Sequence, residues 1–315
     1  DEYVLNSNEG IGYDGYSIMD GGAIMTGSSG LYGWNGRKPY HSVNFVTVHD
    51  GFTLYDLFSY EEKQNGCGLI NPVCCEQPMS VWCDTESGED HNRSRNWGNE
   101  YTKRQMMRNM FAGMFFSHGT PLLLGGDEWM RTQYGNNNSY YIAADNEWNW
   151  FRWGEWRSES AKFRSRMHDF VRKLSRMRKE RIYAFSPKEH GGGMPFSWKT
   201  KDNQSMSDSD WGKKNVMIHY YKDENWDQRE ILIMINMERE AQNFTLPTGR
   251  TWQRILDTQA YFDTGDIAGE PDGYLSDADS TSLSQSANIT LDNPRLIEDS
   301  EYYVAGSSIV ILEEQ

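Results

Sequence analysis

The sequence predicts an α/β portion followed by an all-β antiparallel sandwich, and three observations carry that expectation. Val43–Val48 is a β-branched apolar run that passes through a brief turn into a helix-spaced set, Leu54, Leu57 and Phe58, giving the strand, loop and helix of an α/β unit. A second strand of the same kind, T-P-L-L-L-G-G-D-E over Thr120–Glu128, follows the strongly helical K-R-Q-M-M-R-N-M-F-A-G-M-F-F-S of Lys103–Ser117. From about Tyr183 the texture changes to short runs separated by Gly, Pro, Asn and Asp, namely N-V-M-I-H-Y-Y, E-I-L-I-M-I-N-M, N-F-T-L-P, W-Q-R-I-L-D-T and Y-Y-V-A-G-S-S-I-V-I-L. Closely spaced strands with such turns are the pattern of an antiparallel sandwich. The boundary is placed near Ile182, dividing the chain into residues 1–182 and 183–315.

Between these markers each segment has its own reading. Residues 1–40 are rich in Gly, Asp, Ser and Tyr without periodicity and are expected to be irregular. Thr53–Glu62 is expected to be helical. Lys63–Glu100 has no sustained period, and a loop of that length in a compact domain is usually functional. The polar, aromatic loop Trp129–Tyr141 and the Trp-rich stretch Asp145–Trp156 precede an amphipathic helix, Ala161–Glu180, with Phe163, Met167, Phe170, Val171, Leu174 and Met177 on its core face.

Composition narrows the function. The chain has 315 residues, 37% of them hydrophobic, with 12 Trp, 18 Tyr and 13 Phe, enough for a substantial globular core. Lys and Arg number 31 against 46 Asp and Glu, a formal charge of -15, so no field that attracts a polyanion is present and nucleic acid is not expected as a partner. No apolar run approaches the roughly 18 residues a membrane helix needs. The opening D-E-Y-V-L-N-S-N-E-G lacks the basic and apolar regions of a leader, so the expectation is a soluble, cytoplasmic chain with no membrane partner. The four cysteines, Cys67, Cys74, Cys75 and Cys83, all fall in one short stretch without paired C-x-x-C spacing. Free thiols, one loop-local disulfide and a metal site are the alternatives, free thiols being the plainest.

Both predicted strands of the first portion end in charge, at His49-Asp50 and at Asp127-Glu128. Parallel α/β sheets carry their sites at strand carboxyl ends. Asp50 could instead cap the helix that follows, His49 could be a satisfied half-buried histidine, and Asp127-Glu128 could brace the loop behind it. The loops add another signal: flat Trp and Tyr faces stack on sugar rings while Asn, Gln, Arg and His bond sugar hydroxyls.

H-S-V-N-F-V-T-V-H-D-G-F-T-L-Y-D-L resembles the fourth conserved region of the α-amylase superfamily of glycoside hydrolases, in its isoamylase, pullulanase-like and glycogen-debranching branch. G-S-S-G-L-Y-G-W-N-G-R-K-P-Y, D-H-N-R-S-R-N-W-G, G-T-P-L-L-L-G-G-D-E-W-M-R-T-Q-Y-G-N-N-N-S-Y and D-N-E-W-N-W-F-R-W agree in order, covering roughly residues 22–180. The resemblance implies the C-terminal portion of a (β/α)8 barrel, its strands seven and eight being those at Val43 and Thr120, followed by the sandwich. It also implies action on α-1,6 branch linkages of glycogen, amylopectin or a limit dextrin. In that family an Asp nucleophile and a Glu acid/base perform retaining hydrolysis. A third carboxylate, preceded by a His, grips sugar hydroxyls in the transition state. By motif position, Asp50 is that carboxylate and His49 its partner.

The stretches that supply the nucleophile and acid/base in the family, G-F-R-x-D and E-x-W, lie upstream of the H-D strand there. Neither occurs upstream of His49-Asp50 in these residues, the chain's one E-x-W being Glu224-Asn225-Trp226 far downstream, and the early D-x-x-x-N-H motif is missing too. Two strands cannot close an eight-stranded barrel. The expectation is therefore part of an enzyme, inactive alone, with an N-terminal chain or segment completing the barrel. A non-catalytic α-glucan-binding module, and an α-1,4 hydrolase or transglycosylase, are the alternatives. Expected sugar contacts are His91, Asn92, Trp97, Asp127, Glu128, Trp129, Arg131, Gln133, Asn136, Asn137 and Tyr140, some of which are expected only to brace loops. Arg95, Trp97 and His118 depart from the family's more usual residues, and no metal or organic cofactor is implied.

Overall fold

The computed structural model describes residues 18–65, 87–139, 149–154, 162–225, 229–259, 288–292 and 294–315. Cys67, Cys74, Cys75, Cys83 and Tyr140 lie outside them. The described residues fall into two compact units. The first is drawn from Asp1–Asn44, Arg108–Pro121 and Arg172–Gln315, and the second from Phe45–Met107 and Leu122–Val171.

In the first unit, β3 (Phe196–Lys199), β4 (Asn215–Tyr220), β5 (Ile231–Asn236), β7 (Trp252–Asp257), β8 (Arg295–Ile297) and β10 (Ser308–Glu314) form one antiparallel sheet in the order β3-β4-β5-β10-β7-β8. The central pairing joins Ile309 to Ile235 and Ile311 to Ile233. A second pair, β6 (Gln242–Thr245) with β9 (Glu301–Val304), puts Phe244 opposite Tyr302. Phe244 and Val304 of this pair pack with Met217, Leu232, Met234, Trp252, Val310 and Leu312 of the larger sheet in one buried cluster. All six residues of β5 are buried, so the sheet is covered on both faces. Tyr220, two positions from Ile218 on the other face, meets the Phe185 ring at 5.6 Å, and Phe185 meets Phe116 at 5.0 Å. The predicted apolar runs thus become β4 to β7, β9 and β10. The short outer strands β3 and β8 carry too little apolar sequence to be read in advance.

Residues 1–40 are not wholly irregular as expected, because Ile18–Met25 is a helix, α1, and Ser29–Tyr32 a single turn, α2. At Gly22 of α1 the missing side chain admits the Trp198 indole, which a Cβ would meet at 3.3 Å.

β1 (Val43–Asn44) pairs in parallel with β2 (Thr120–Pro121), Val43 opposite Thr120. Both are shorter than the runs Val43–Val48 and Thr120–Glu128, since among the described residues only these two positions of each run find a ladder partner. Thr120 N–H donates to Ser42 O at 2.7 Å, and Asn44 Nδ2 donates to His118 O at 2.9 Å. The turn into β2 is held from α5 (Lys162–Glu180): the buried Arg178 guanidinium donates to the carbonyls of Phe115, Ser117, Gly119 and Phe185. His118 is a buried core histidine, its Nε2 3.0 Å from Tyr220 Oη.

In the second unit the expected helix Thr53–Glu62 shrinks to α3, Leu54–Leu57. The carbonyls of Leu57 and Phe58, which a continuing helix would bond four residues on, instead accept from Arg95 N–H at 2.9 Å and Trp97 N–H at 3.2 Å. The helix α4 (Glu100–Phe116) and α5 match their predicted extents within three residues. The last turn, Ile182–Phe185, is α6. Among the described residues no helix is long and apolar enough to cross a membrane.

Candidate functional site

The chain leaving β1 turns at His49-Asp50 and enters α3 through Thr53. His49 and Asp50 both face solvent, 75% and 64% exposed, with Nε2 and Oδ2 3.3 Å apart. The capping role open to Asp50 falls to two other residues. Thr53 is the N-cap and its hydroxyl accepts Asp56 N–H at 3.3 Å, while Leu54 N–H is taken by Asp127 Oδ1 at 3.0 Å. Asp127 Oδ2 accepts the Thr47 hydroxyl at 2.5 Å. The Asp127 side chain is 1% exposed, and burial pushes its carboxyl up to about 7 against the pull of the Thr47 and Leu54 donors and of Arg131.

A second buried carboxylate organises the loop from Thr132 to Gly135. Asp56 accepts the Thr132 hydroxyl at 2.5 Å, Gln133 N–H at 2.7 Å and Gly135 N–H at 3.3 Å. Burial again raises its carboxyl above the ordinary range, opposed by these donors. Asp56 was not visible as a site residue in the sequence. The one available signal was the Thr53-x-x-Asp56 spacing of a capping box, which marks a helix start and not a loop anchor.

Beyond Gly135 the loop joins an amide network. Asn137 is buried and meets Asn65 twice, donating its N–H to Oδ1 at 2.9 Å and accepting Nδ2 at 2.8 Å. Its own Nδ2 donates to Glu89 O at 2.6 Å and to Asn92 Oδ1 at 3.0 Å. Its carbonyl accepts Gly51 N–H at 3.1 Å, the bond that ties this loop to the His49-Asp50 turn. The chain passes so close that a Cβ at Gly88 would stand 2.1 Å from Asn137 Oδ1. Every polar atom of the Asn137 side chain is thereby bonded, which makes the loop a fixed surface.

The predicted contacts therefore occupy different settings. Asn92 and Asn137 are joined to the turn through the amide network, and Asp127 is joined to it from beneath. Gln133 is buried, donating to Ser139 Oγ and to Asn149 Oδ1, the latter at 3.2 Å. Asn136 Oδ1 accepts Asn138 N–H at 2.9 Å. His91 is exposed, its N–H on Glu89 Oε1 at 2.7 Å. Trp97 is half-buried with the Arg95 guanidinium 5.0 Å from its ring. Its Nε1 has no hydrogen-bond partner among the described residues. Glu128 accepts Gly126 N–H at 2.9 Å, and Trp129 stacks on His168 of α5 at 4.2 Å and 19°. Arg131 is half-buried, its guanidinium pulled down by desolvation and held up by Asp127 and Asp56. Among the described residues no cluster of three or more His, Cys, Asp or Glu stands in an arrangement that could hold a metal ion.

No protein-family model matches the chain. It is similar to an isoamylase of Flavobacterium sp, 35% identical over 261 residues, 78% of this chain and 32% of the relative. A glycogen operon protein GlgX homolog of Mycobacterium tuberculosis (strain ATCC 25618 / H37Rv) is 35% identical over 201 residues, covering 60% of this chain and 26% of its own length. The chloroplastic isoamylase SU1 of Zea mays is 31% identical over 246 residues, 74% of this chain and 28% of the relative. The chain thus spans about a third or less of the curated relatives it matches. Among solved structures, the fold is similar to a pullulanase from Bacillus acidopullulyticus, with TM-score 0.58 and 18% identity over 99% of this chain and 30% of that one. It is also similar to a pullulanase complexed with maltotetraose from Anoxybacillus sp. LM18-11, with TM-score 0.54 and 16% identity over 100% of this chain and 35% of that one. Taken with the motifs of the turn and loops, these likenesses make the chain an isoamylase-like member of the α-amylase family, corresponding to the C-terminal part of its relatives, with a fold similar to that of pullulanases.

Proposed function

We propose that this chain is the C-terminal part of a debranching glycoside hydrolase that cleaves α-1,6 linkages of glycogen or a related branched α-glucan. The observation that carries the reading is the His49-Asp50 pair, held out to solvent on a turn whose two ends and middle are all tied down. Asp50 bonds hydroxyls of the sugar at the branch, more tightly as the ring flattens and gains positive charge, and His49 orients it. Interactions that strengthen in the transition state are the ones that accelerate the step. The nucleophile and the acid/base of a retaining reaction are contributed by an N-terminal portion, since G-F-R-x-D is not among these residues and their one E-x-W, Glu224-Asn225-Trp226, follows the His49-Asp50 turn instead of preceding it.

Residues 1–182 would then hold strands seven and eight of the barrel, and 183–315 the sandwich domain that follows it. Two features support this: β1 and β2 run parallel, and Val43, Phe45 and Leu122, on or beside them, are exposed apolar side chains. Parallel strands normally have both faces covered. His91, Asn92, Trp97 and Arg131 form the sugar-facing rim, with Gln133 and Asn137 bracing it.

The test is Asp50→Asn in the full-length gene product, assayed on a branched α-glucan. The expected loss in kcat is on the order of 10²–10³, the range for removing one transition-state contact. These 315 residues alone should release no reducing ends, and adding the N-terminal portion should restore release. Near wild-type activity in the variant, or turnover by the chain alone, would overturn the reading.

A further inference from the structure

His49 and Asp50 stand on a turn of exposed side chains, and such a turn keeps a catalytic geometry only if something beneath it is rigid. We infer that Asp127 is a positioning residue, whose carboxylate clasps Thr47 and Leu54, the two ends of the segment that displays His49 and Asp50. The inference rests on the role proposed for Asp50.

The geometry is specific. One carboxylate oxygen accepts the Thr47 hydroxyl at 2.5 Å and the other accepts Leu54 N–H at 3.0 Å. Thr47 and Leu54 are buried, and only the residues between them come to the surface at His49 and Asp50. A single side chain therefore closes the base of the loop, while Gly51 N–H on Asn137 O at 3.1 Å fixes its middle. The clasp is itself anchored in the helical turn Asp127–Trp129, where Asp127 N–H donates to Leu124 O at 3.1 Å and Trp129 N–H to Gly126 O at 2.9 Å.

Stability alone is a weak reason for this arrangement. Burying a carboxylate is costly, and a well-packed apolar side chain often serves stability as well. What a carboxylate adds is two acceptors at a fixed separation, held against donors on opposite sides of the turn. Its raised pKa, caused first by desolvation and then by Glu128, and opposed by the two donors and Arg131, registers that cost. Asp127 is too deeply buried to bond a sugar directly, so its effect reaches the glucan through Asp50.

The test uses the full-length gene product with a branched α-glucan as substrate. Asp127→Ala should lower kcat about 10–100-fold while KM changes by less than about threefold, because a catalytic group displaced by about 1 Å can cost 10²-fold. Asp127→Asn keeps the shape, accepting Leu54 N–H and donating to the Thr47 hydroxyl, and should recover most of the loss. Thr47→Val removes one arm without changing volume, so it reports even if Asp127→Ala fails to fold. In both Thr47→Val and Asp127→Ala the Leu54 amide should exchange with solvent faster; unchanged exchange would dismiss the clasp. Asp127→Ala added to Asp50→Asn should lower kcat no further, since both act through one carboxylate. If Asp50→Asn is crippling while Asp127→Ala and Thr47→Val keep kcat within twofold, or if the double variant is far worse than Asp50→Asn, the positioning role is overturned and the proposed function stands. If Asp50→Asn itself stays active, it is the proposed function that falls.

Discussion

Arg178 offers the sharpest test of how the strand pair is built. Its guanidinium, pulled down to about 10 by burial, donates to four carbonyls: Phe115, Ser117 at 2.9 Å, Gly119, and Phe185 at 2.9 Å. Phe115 and Phe185 lie in helical segments, and Ser117 and Gly119 lead into β2, so one side chain gathers the orphan carbonyls of a helix end and a turn. A hydrogen bond to a charged donor is worth about 1.5–3 kcal/mol net. The four do not add, because they share one side chain and water entering the vacated space re-bonds some carbonyls. For Arg178→Ala this leaves about 3–5 kcal/mol of lost stability, the scale for removing one member of a buried charged network. With a urea slope of about 3 kcal/mol/M, a loss of about 4 kcal/mol lowers the denaturation midpoint by about 1.3 M. Arg178→Met fills the space without donors and should fall within about 1 kcal/mol of Ala. Lys, a point charge without the planar fork, should recover about half. A loss under about 1 kcal/mol for Ala, or a Met variant as stable as wild type, would show that packing and not the carbonyls sets this turn.

Two further predictions concern stability. Gly119 has φ 121°, and a Cβ there would sit 2.6 Å from Ser42 O, the carbonyl that bonds Thr120 N–H. Gly119→Ala therefore combines backbone strain with a backbone clash and should cost about 3 kcal/mol, read by the same urea titration; a neutral variant would mean the β1–β2 register can shift freely. Asp127 and Asp257 are buried carboxyls raised to about 7 and about 6, in both cases by desolvation first. Because the folded state binds these protons more tightly than the unfolded chain, their contribution is fully present below about pH 4 and lost as pH rises through about 6 to 7. The urea midpoint should decline between pH 5 and 7.5, and more gently when both are replaced by Asn; equal slopes would refute the assignment.

The sandwich was legible where strands are central. I-L-I-M-I and I-V-I-L are apolar throughout because β5 and β10 are buried on both faces, and as short runs set between turn residues they read as strands. β8, with the burial of an edge, offers only Arg295, Leu296 and Ile297, and β3 is half-buried along its length. Neither carries a period long enough to register. Around the site, His49 and Asp50 stood out because a strand-like run ended on charge. Thr47, Asp56 and Asn65 did not, since their partners Asp127, Thr132 and Asn137 lie more than 70 residues away and no local pattern encodes such pairings. The short α3 has the same cause: Arg95 and Trp97 claim carbonyls that local propensity had assigned to the helix.

The position of β10 bears on how the chain is made. It lies between β5 and β7, with six and five paired positions respectively, yet it leaves the ribosome after every other strand of that sheet. Until it arrives, β5 and β7 present two apolar edges with nothing between them, open to pairing with another nascent chain. Synthesis therefore passes through a stage in which most of the sandwich is present and unable to close. Brief holding of that stage by a chaperone, or truncation just before Ser308, would separate soluble product from aggregate more sharply than any single substitution in the core.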